Sequence, residues 1–350
     1  MDDFRIDGTK IMFHPERVAQ WKNAKDWEAA KNVYPLYVEI TPCGACNHRC
    51  TFCACDFVGY KAVMFDTSRL IGSLQEMNEL GVKSVMFAGE GEPLLHKDIN
   101  RIAAACPMDV SFTTNGVLLN RLALSNVEWV KVSLNAGQRS TYAQIHRTKE
   151  DDFDTVWRNL KDAAKRKEGC TLGVQCVLLP ENRAEVFMLA HMVKDAGCDY
   201  FVVKPYSQHK KSITHRYEGV DYTQDQGLAD ALETVSSNEF QVIYRVDSMK
   251  QESEEIHYDK CNSTPFFWAF VSANGDVYGC SAYLLDERFK YGNLHEQTFE
   301  EIWQGEKRRA SYEYIKDGLD INECRKNCRL DKANRYLSDL AKGVPHQNFI

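Results

Sequence analysis

Residues 43–55 read Cys-Gly-Ala-Cys-Asn-His-Arg-Cys-Thr-Phe-Cys-Ala-Cys, and within this run Cys46, Cys50 and Cys53 are spaced CxxxCxxC. Three thiolates on one tight loop can hold three irons of a [4Fe–4S] cluster and leave the fourth iron open to a small molecule, a layout for chemistry rather than structure. The competing reading is a closed zinc tetrahedron in which Cys43 or Cys55 supplies a fourth thiolate. A second set, Cys261, Cys280, Cys324 and Cys328, lies far along the chain and ends in CxxxC. Thirteen cysteines, odd in number and clustered, in a chain that reads as cytoplasmic point to metal or catalysis rather than a disulfide framework.

These cysteines need a scaffold, and the composition supplies one. The 350 residues carry 43 Lys plus Arg against 50 Asp plus Glu, a net charge of −7, with 44% hydrophobic and 27% charged residues. Such a chain builds a core and is not disordered as a whole. Non-specific binding to nucleic acid or to an anionic membrane needs a basic surface, so neither partner is expected. The densest apolar run, residues 266–271, falls far short of the roughly 18 residues of a membrane helix and reads as a buried strand. The acidic opening Met1-Asp2-Asp3 lacks the positive start of an export signal.

After a helical lead-in over 1–35, short β-rich runs alternate with amphipathic stretches, the pattern of parallel βα units. Strands are expected at 37–41, 84–88, 109–113, 129–134, 171–178 and 200–204, and helices at 68–80, 98–105, 121–124, 154–167 and 183–196. Gly81, Gly169 and Gly197 suit helix C-termini. The fold class this predicts is α/β, a partial (β/α)6 TIM-like barrel over 36–220. The rhythm then breaks into a polar loop, a helix at 224–236, a strand at 241–246 and the second cysteine set. That part is read as a small α+β cluster-binding domain over 221–350, with a C-terminal helix.

The run CNHRCTFC, with the aromatic Phe52 just before its last cysteine and placed at the end of the first strand, resembles the radical S-adenosylmethionine (radical SAM) superfamily. Gly89-Glu90-Gly91-Glu92-Pro93, after the second strand, is similar to that family's GGEP motif with its first Gly replaced by Glu90. The resemblance implies that the open iron chelates the amino and carboxylate groups of SAM. One electron then cleaves SAM to methionine and a 5′-deoxyadenosyl radical, which abstracts hydrogen from a substrate. It also implies a cofactor-binding set: Phe52 near the adenine, Gly91 and Glu92 at the methionine amine, and Gly89, Glu90, Thr114, Asn115 and Val177 around them. Ser133 falls where relatives show SLDG. Arg147 would pair with the SAM carboxylate, a bidentate task suited to guanidinium; a surface salt bridge is its other reading. Asn135 stands where relatives carry Asp, which removes a carboxylate base.

Cys261, thirteen residues, Gly275, four residues and Cys280, followed by the final CxxxC, resemble the SPASM extension in its shorter twitch form. This implies one auxiliary [4Fe–4S] cluster on Cys261, Cys280, Cys324 and Cys328, closed to substrate and suited to electron transfer, with structural zinc as the alternative. The cofactors expected are therefore two [4Fe–4S] clusters and SAM, with a reductant such as flavodoxin or ferredoxin as partner.

Strand alternation places Glu39, Asn135, Gln175 and Lys204 on the phase opposite the apolar residues. With Tyr206, Gln208 and His209 of the following loop they are candidate contacts for a hydroxylated or amino-bearing small molecule. A buried Glu39–Lys204 pair is the competing reading for two of them. Cys176 falls on the other phase from Gln175 and reads as core. Cys43 and Cys55 flank the first cluster with roles left open, either as an added ligand or, for Cys55, at the mouth. The expected activity is an oxidoreductase that dehydrogenates a carbinol of an aminocyclitol or sugar-type compound, similar to 2-deoxy-scyllo-inosamine dehydrogenase. The alternatives are a redox-neutral epimerase or decarboxylase on a sugar or nucleoside, a peptide-modifying maturase like the sulfatase-maturating enzymes, and a zinc-bound scaffold.

Overall fold

The computed structural model describes residue 4 and residues 6–222, 225–251, 256, 258–325 and 327–349. The strands are β1 (Tyr37–Ile40), β2 (Ser84–Phe87), β3 (Asp109–Thr114), β4 (Trp129–Ser133), β5 (Thr171–Leu178), β6 (Tyr200–Pro205), β7 (Gln241–Tyr244), β8 (Trp268–Val271), β9 (Asp276–Tyr278) and β10 (Lys290–Asn293). All ten join one open sheet in the order β10-β9-β8-β1-β2-β3-β4-β5-β6-β7. β1 to β7 run parallel, β8 pairs parallel with the free side of β1, and β9 and β10 continue antiparallel.

The period-2 pattern of the strands sorts their side chains. Val38, Ile40, Val85, Phe87, Phe112, Val130, Val132, Leu172 and Val174 are fully buried, in one core with residues of the helices Thr67–Glu79, Ile99–Ala105, Glu150–Arg166 and Val186–Asp195. The other phase, Met86, Thr113, Lys131, Ser133, Gln175, Val177 and Lys204, lines an internal cavity. Register fixes the neighbours there: Lys131 lies between Thr113 and Gly173, Ser133 opposite Gln175, and Val177 opposite Lys204. Helix starts follow their sequence signals: Asp66 accepts from the Arg69 amide at 2.7 Å, and Glu150, Asp151 and Asp152 occupy the first turn of the helix they open.

Three expectations are corrected. Residues 121–124 are not a helix; the link from β3 to β4 makes a single 3₁₀ turn at Leu119–Arg121. Its apolar residues serve to bury a loop, and Asn159 Nδ2 donates to the carbonyls of Gly116 and Val117 that precede the turn. A helix absent from the expectation runs Arg139–His146. The strand expected at 241–246 inside the second domain is β7, hydrogen-bonded to β6 within the barrel sheet, because the exposed side of β6 offers an unsatisfied backbone ladder. The expected helix start at Gln224 lies outside the described residues; the described helix is Gln226–Glu233.

The lead-in is helical, with Pro15–Asn23 and Trp27–Ala30, and packs Trp21 and Trp27 with Phe266, Phe267, Tyr312 and Leu337 from the far end of the chain. Arg308 is fully buried at this junction. Its guanidinium donates to the carbonyls of Pro265, Trp303 and Ala30 and stacks on Trp27 and Trp303. Among the described residues no helix is long and apolar enough to cross a membrane.

Candidate active site

The loop that follows β1 is gripped from two sides. On one, Gly44 N donates to Val63 O (2.9 Å), Phe65 N to Pro42 O (3.0 Å) and Glu92 N to Ala45 O (2.8 Å). On the other, Arg49 N and Thr51 N donate to the carbonyls of His146 and Ile145 at 3.1 and 2.8 Å. Gly91 has no alternative here, because a Cβ would collide with the carbonyl oxygens of Cys43 and Ala45; Gly89, at φ 104°, would collide with Thr41. The glycine motif and the cysteine loop therefore occur together because one packs on the backbone of the other.

This frame presents Cys46, Cys50 and Cys53 to one cavity of about 440 Å³. Burial pushes all three thiols up, Cys46 to about 11 and Cys50 well above the usual range, with the charges of Cys53 and Cys46 adding to the latter. Buried thiolates that repel one another are a donor set that a bound cation discharges. Among the described residues no three of these sulfurs lie within 4.8 Å of one another. Tetrahedral zinc, with Zn–S of about 2.3 Å, draws its sulfurs to roughly 4 Å. Among the described residues, the group whose ligand atoms do lie within 4.8 Å of one another is His48, Cys50 and His146. Cys43 is fully buried and does not line the cavity, whereas Cys55 does.

His146 reaches the same loop from the end of the helix Arg139–His146. Its Nδ1 is 3.3 Å from Cys50 Sγ, and its Nε2 receives the backbone amide of Asn135 at 3.4 Å, with Asn135 Nδ2 at 3.3 Å. A backbone amide can only donate, so Nε2 is the acceptor and the ring proton sits on Nδ1, facing the Cys50 sulfur. Burial holds the ring neutral, with its pKa well below the usual value. Asn135 is itself fixed: Oδ1 accepts from the Val177 amide at 2.6 Å and its carbonyl from Asn182 Nδ2 at 2.8 Å. It is fully buried behind the cavity wall, not on it.

Of the residues expected to bind SAM, Phe52, Gly89, Gly91, Glu92, Thr114, Asn115, Ser133 and Val177 line the cavity beside these cysteines. The Glu92 carboxylate accepts from Leu94 N (3.1 Å), Thr114 Oγ1 (2.6 Å) and Asn115 N (2.8 Å), so its side chain braces the ends of β2 and β3. Two residues do not reach the cavity. The Glu90 side chain accepts from Ser272 Oγ beyond β8, and Arg147 is exposed at the left-handed end of its helix, φ 48°. The neighbouring His146 takes the inward position.

Cys261, Cys280, Cys324 and Cys328 line the same cavity. Burial and mutual repulsion raise Cys280 well above the usual range and Cys328 to about 12. Donors already face these sulfurs: Leu330 N to Cys328 at 3.3 Å, Asn334 Nδ2 to Cys261 at 3.6 Å and Tyr283 Oη beside Cys324 at 3.4 Å. Here too no three sulfurs among the described residues lie within 4.8 Å of one another.

Between the two sets, Gln175, Lys204 and Tyr206 line the cavity. Glu39 pairs with Arg329 and not with Lys204, Gln208 braces its own loop by accepting from Tyr206 Oη at 2.8 Å, and His209 stacks on Phe57 with centroids 4.8 Å apart. None of these three lines the cavity. Cys176 is buried among core residues, as its strand phase requires. Cys55 is on the wall, at the mouth as one of its readings had it, while sequence reasoning missed His48, His146, Lys131, Arg245, Arg325 and Arg329 there. The signal for Lys131 was available, since it shares a strand phase with Ser133; Arg245 follows β7, and Arg325 and Arg329 sit in the loop before the last helix, where no periodicity points.

The radical SAM superfamily profile matches residues 40–193, and the SPASM profile, described as an iron-sulfur cluster-binding domain, matches 261–329. A GTP 3′,8-cyclase of Chlorobaculum tepidum is 33% identical over 210 residues, covering 56% of this chain and 61% of that protein. The chain spans between about half and three fifths of the length of the curated relatives it matches. SuiB of Streptococcus suis, in its crystal structure bound to the precursor peptide SuiA, superposes with TM-score 0.66 at 17% identity over 96% of this chain and 78% of that one. Native anSMEcpe with bound AdoMet gives TM-score 0.56 at 17% identity, covering 89% of this chain and 100% of that one. At such identity these two likenesses concern the fold alone. The chain belongs to the radical SAM superfamily and carries a C-terminal SPASM/twitch-type cluster-binding domain, with [4Fe–4S] clusters and S-adenosylmethionine as its cofactors.

Proposed function

We propose that this chain is a radical SAM oxidoreductase that takes hydrogen from a carbinol carbon of a small polar substrate held between two clusters. The observation that carries this reading is that both cysteine sets line one cavity together with the polar side chains of Gln175, Lys204 and Tyr206. Cys46, Cys50 and Cys53 would hold the SAM-binding cluster, and Cys261, Cys280, Cys324 and Cys328 the auxiliary one. When bound, SAM and its cluster supply a one-electron reductive cleavage that yields a hydrogen-abstracting radical, and the auxiliary cluster supplies an acceptor for the electron left after the carbinol loses a hydrogen atom and a proton.

The chain's own residues do the rest. The backbone at Gly91 and Glu92, braced by the Glu92 carboxylate, forms the floor for the methionine end of SAM, with Phe52 and Ser133 beside it. Gln175 and Tyr206 supply polar contacts to the substrate. Asp56 accepts from Ile213 N (2.9 Å), Thr214 N (3.0 Å) and Ser212 Oγ (3.0 Å), which ties the loop after β6 to the cysteine loop. A flavodoxin or ferredoxin is the fitting electron donor, and the reducing cytoplasm the fitting compartment for 13 free cysteines.

A second reading, redox-neutral epimerisation, draws on Cys55, a thiol on the cavity wall that could return a hydrogen atom. Anaerobic reconstitution decides the core of the proposal. The parent is expected to hold about eight irons, and the C46A/C50A/C53A variant about four, with 5′-deoxyadenosine formation lost. Retained 5′-deoxyadenosine in the triple variant would defeat the mechanism. Turnover in D₂O separates the two readings: solvent deuterium fixed at carbon, and abolished by C55S, replaces dehydrogenation with epimerisation.

A further inference from the structure

We propose that the substrate is an anion, and that Lys131, Lys204 and Arg325 form the site that receives its phosphate or carboxylate group. This rests on the cavity being the active site and narrows the substrate class to be held there. Lys131 on β4 and Lys204 on β6 both line the cavity, with Arg245 just after β7 and Arg325 and Arg329 from the segment before the last helix, Asp331–Lys342. With Lys332 they make six cations on one cavity wall, which also carries Asp7, Glu92, Asp247 and Asp331. Of the carboxylates nearby, Glu39 pairs with Arg329, Asp247 with Lys332 and Asp331 with Arg335, while Asp7 accepts from the Thr9 hydroxyl and Glu92 from the hydroxyl and amides it braces. Among the described residues neither Lys131 nor Lys204 has a carboxylate partner, and Arg325 donates only to the Ser207 hydroxyl and carbonyl, at 2.8 and 2.7 Å.

Lysines on a cavity wall with no carboxylate partner are costly to keep charged, and a fold keeps them where a ligand supplies the charge. The electrostatics agree with that reading. Burial first, then the charges of Arg329 and Arg245, bring Lys131 down to about 7, and Lys204 is lowered further by burial and by the same cations together with Lys131 and Arg325. An amino-bearing cyclitol would add a like charge to this space. A phosphate or carboxylate would relieve the repulsion and accept charge-assisted hydrogen bonds from both lysines. Seated there, the anionic group would be held by the strand walls, with the remainder of the molecule extending toward Ser133 and the first cysteine set.

The test uses the reconstituted, SAM-loaded protein with pyrophosphate, succinate and glucosamine as probes, followed by calorimetric titration. Pyrophosphate or succinate is expected to bind saturably, more weakly as NaCl is raised, and about tenfold or more weakly in K131M and K204M. Whichever anion binds identifies the phosphate or the carboxylate source. Intact absorbance near 400 nm and an unchanged unfolding profile show that the variants are folded, and the salt dependence in the parent needs no variant. Glucosamine binding as tight as either anion, or anion binding indifferent to both substitutions, overturns the proposal. Reductive SAM cleavage measured on the same sample separates the two failures: 5′-deoxyadenosine formed without anion binding sinks the anion site alone, and its absence from the parent sinks the radical reading beneath it.

Discussion

At the scale of single residues, one hydrogen sets much of the first site's character. The backbone amide of Asn135 fixes the His146 tautomer, and the Nδ1 proton then faces Cys50 Sγ at 3.3 Å. Donors to cluster sulfurs raise the reduction potential, because they stabilise the added negative charge. Replacing the ring by one with no N–H removes that donor. H146F is therefore expected to lower the potential of the SAM-binding cluster by about 20–60 mV, the one-electron equivalent of a hydrogen bond of about 0.5–1.5 kcal/mol. A redox titration followed by electron paramagnetic resonance reads this directly, and an unchanged potential refutes the donor role of His146 Nδ1. Lys131 gives a second residue-scale prediction. Its folded pKa of about 7 lies below the unfolded value, so the unfolded chain binds more protons between them and stability rises with pH across that window. The penalty is fully present below about pH 7. With Arg329, Arg245, Lys204 and Glu39 as the charges facing it, K131M should raise the anion-free Tm at pH 6 by roughly 2 °C or more, and by less at pH 9. Calorimetry giving equal shifts at both pH values counts against it.

At the scale of elements, the glycine motif and the cysteine loop form one unit, since Gly91 lies where a Cβ would strike the carbonyls of Cys43 and Ala45. G91A should therefore displace the cysteine loop while leaving the second set untouched, and iron per chain should fall from about eight toward about four. Full iron content in that variant would mean that the loop tolerates the shift. A similar argument applies where the chain ends meet. Arg308 has no carboxylate among the described residues and serves the carbonyls of Pro265, Trp303 and Ala30. R308M leaves these buried acceptors unpaired, at about 1–3 kcal/mol each. A clearly lower unfolding midpoint, with SAM cleavage retained in the folded fraction, is the expected result.

At the scale of the whole molecule, both cysteine sets belong to one sheet. β8 pairs with β1 in register, Tyr37 with Trp268 and Ile40 with Val271, so the strand that leads to the second set lies beside the strand that leads to the first. One cavity then spans the space between them. This arrangement predicts that the two sites communicate through the substrate. Replacing Cys280 by Ala should leave SAM cleavage in place but stop net oxidation, so that 5′-deoxyadenosine accumulates without a matching amount of oxidised product. Product formed one for one in that variant would remove the electron-acceptor role.

Local sequence carried a large part of this. The first six strands of the barrel and most of its helices followed from period and caps, and the superfamily and its cofactors from CNHRCTFC, GEGEP and the C-terminal cysteine spacing, because ligand type and spacing along a loop are themselves the chemistry. The face of Cys176, Gln175 and Lys204 also followed, since alternation along a strand is fixed by the pleat. What local pattern does not encode is which distant segments share a wall. The choice of His146 over Arg147 depended on where a helix end meets the cysteine loop, the burial of Asn135 on a neighbouring strand's amide, and the partner of Glu39 on Arg329, almost 300 positions away by contact of β1 with β8. The cationic cavity arises in the same manner, from lysines two strands apart and arginines on returning segments. Only the tertiary structure brings those charges together, because their proximity is set by sheet order and register rather than by anything within reach along the chain.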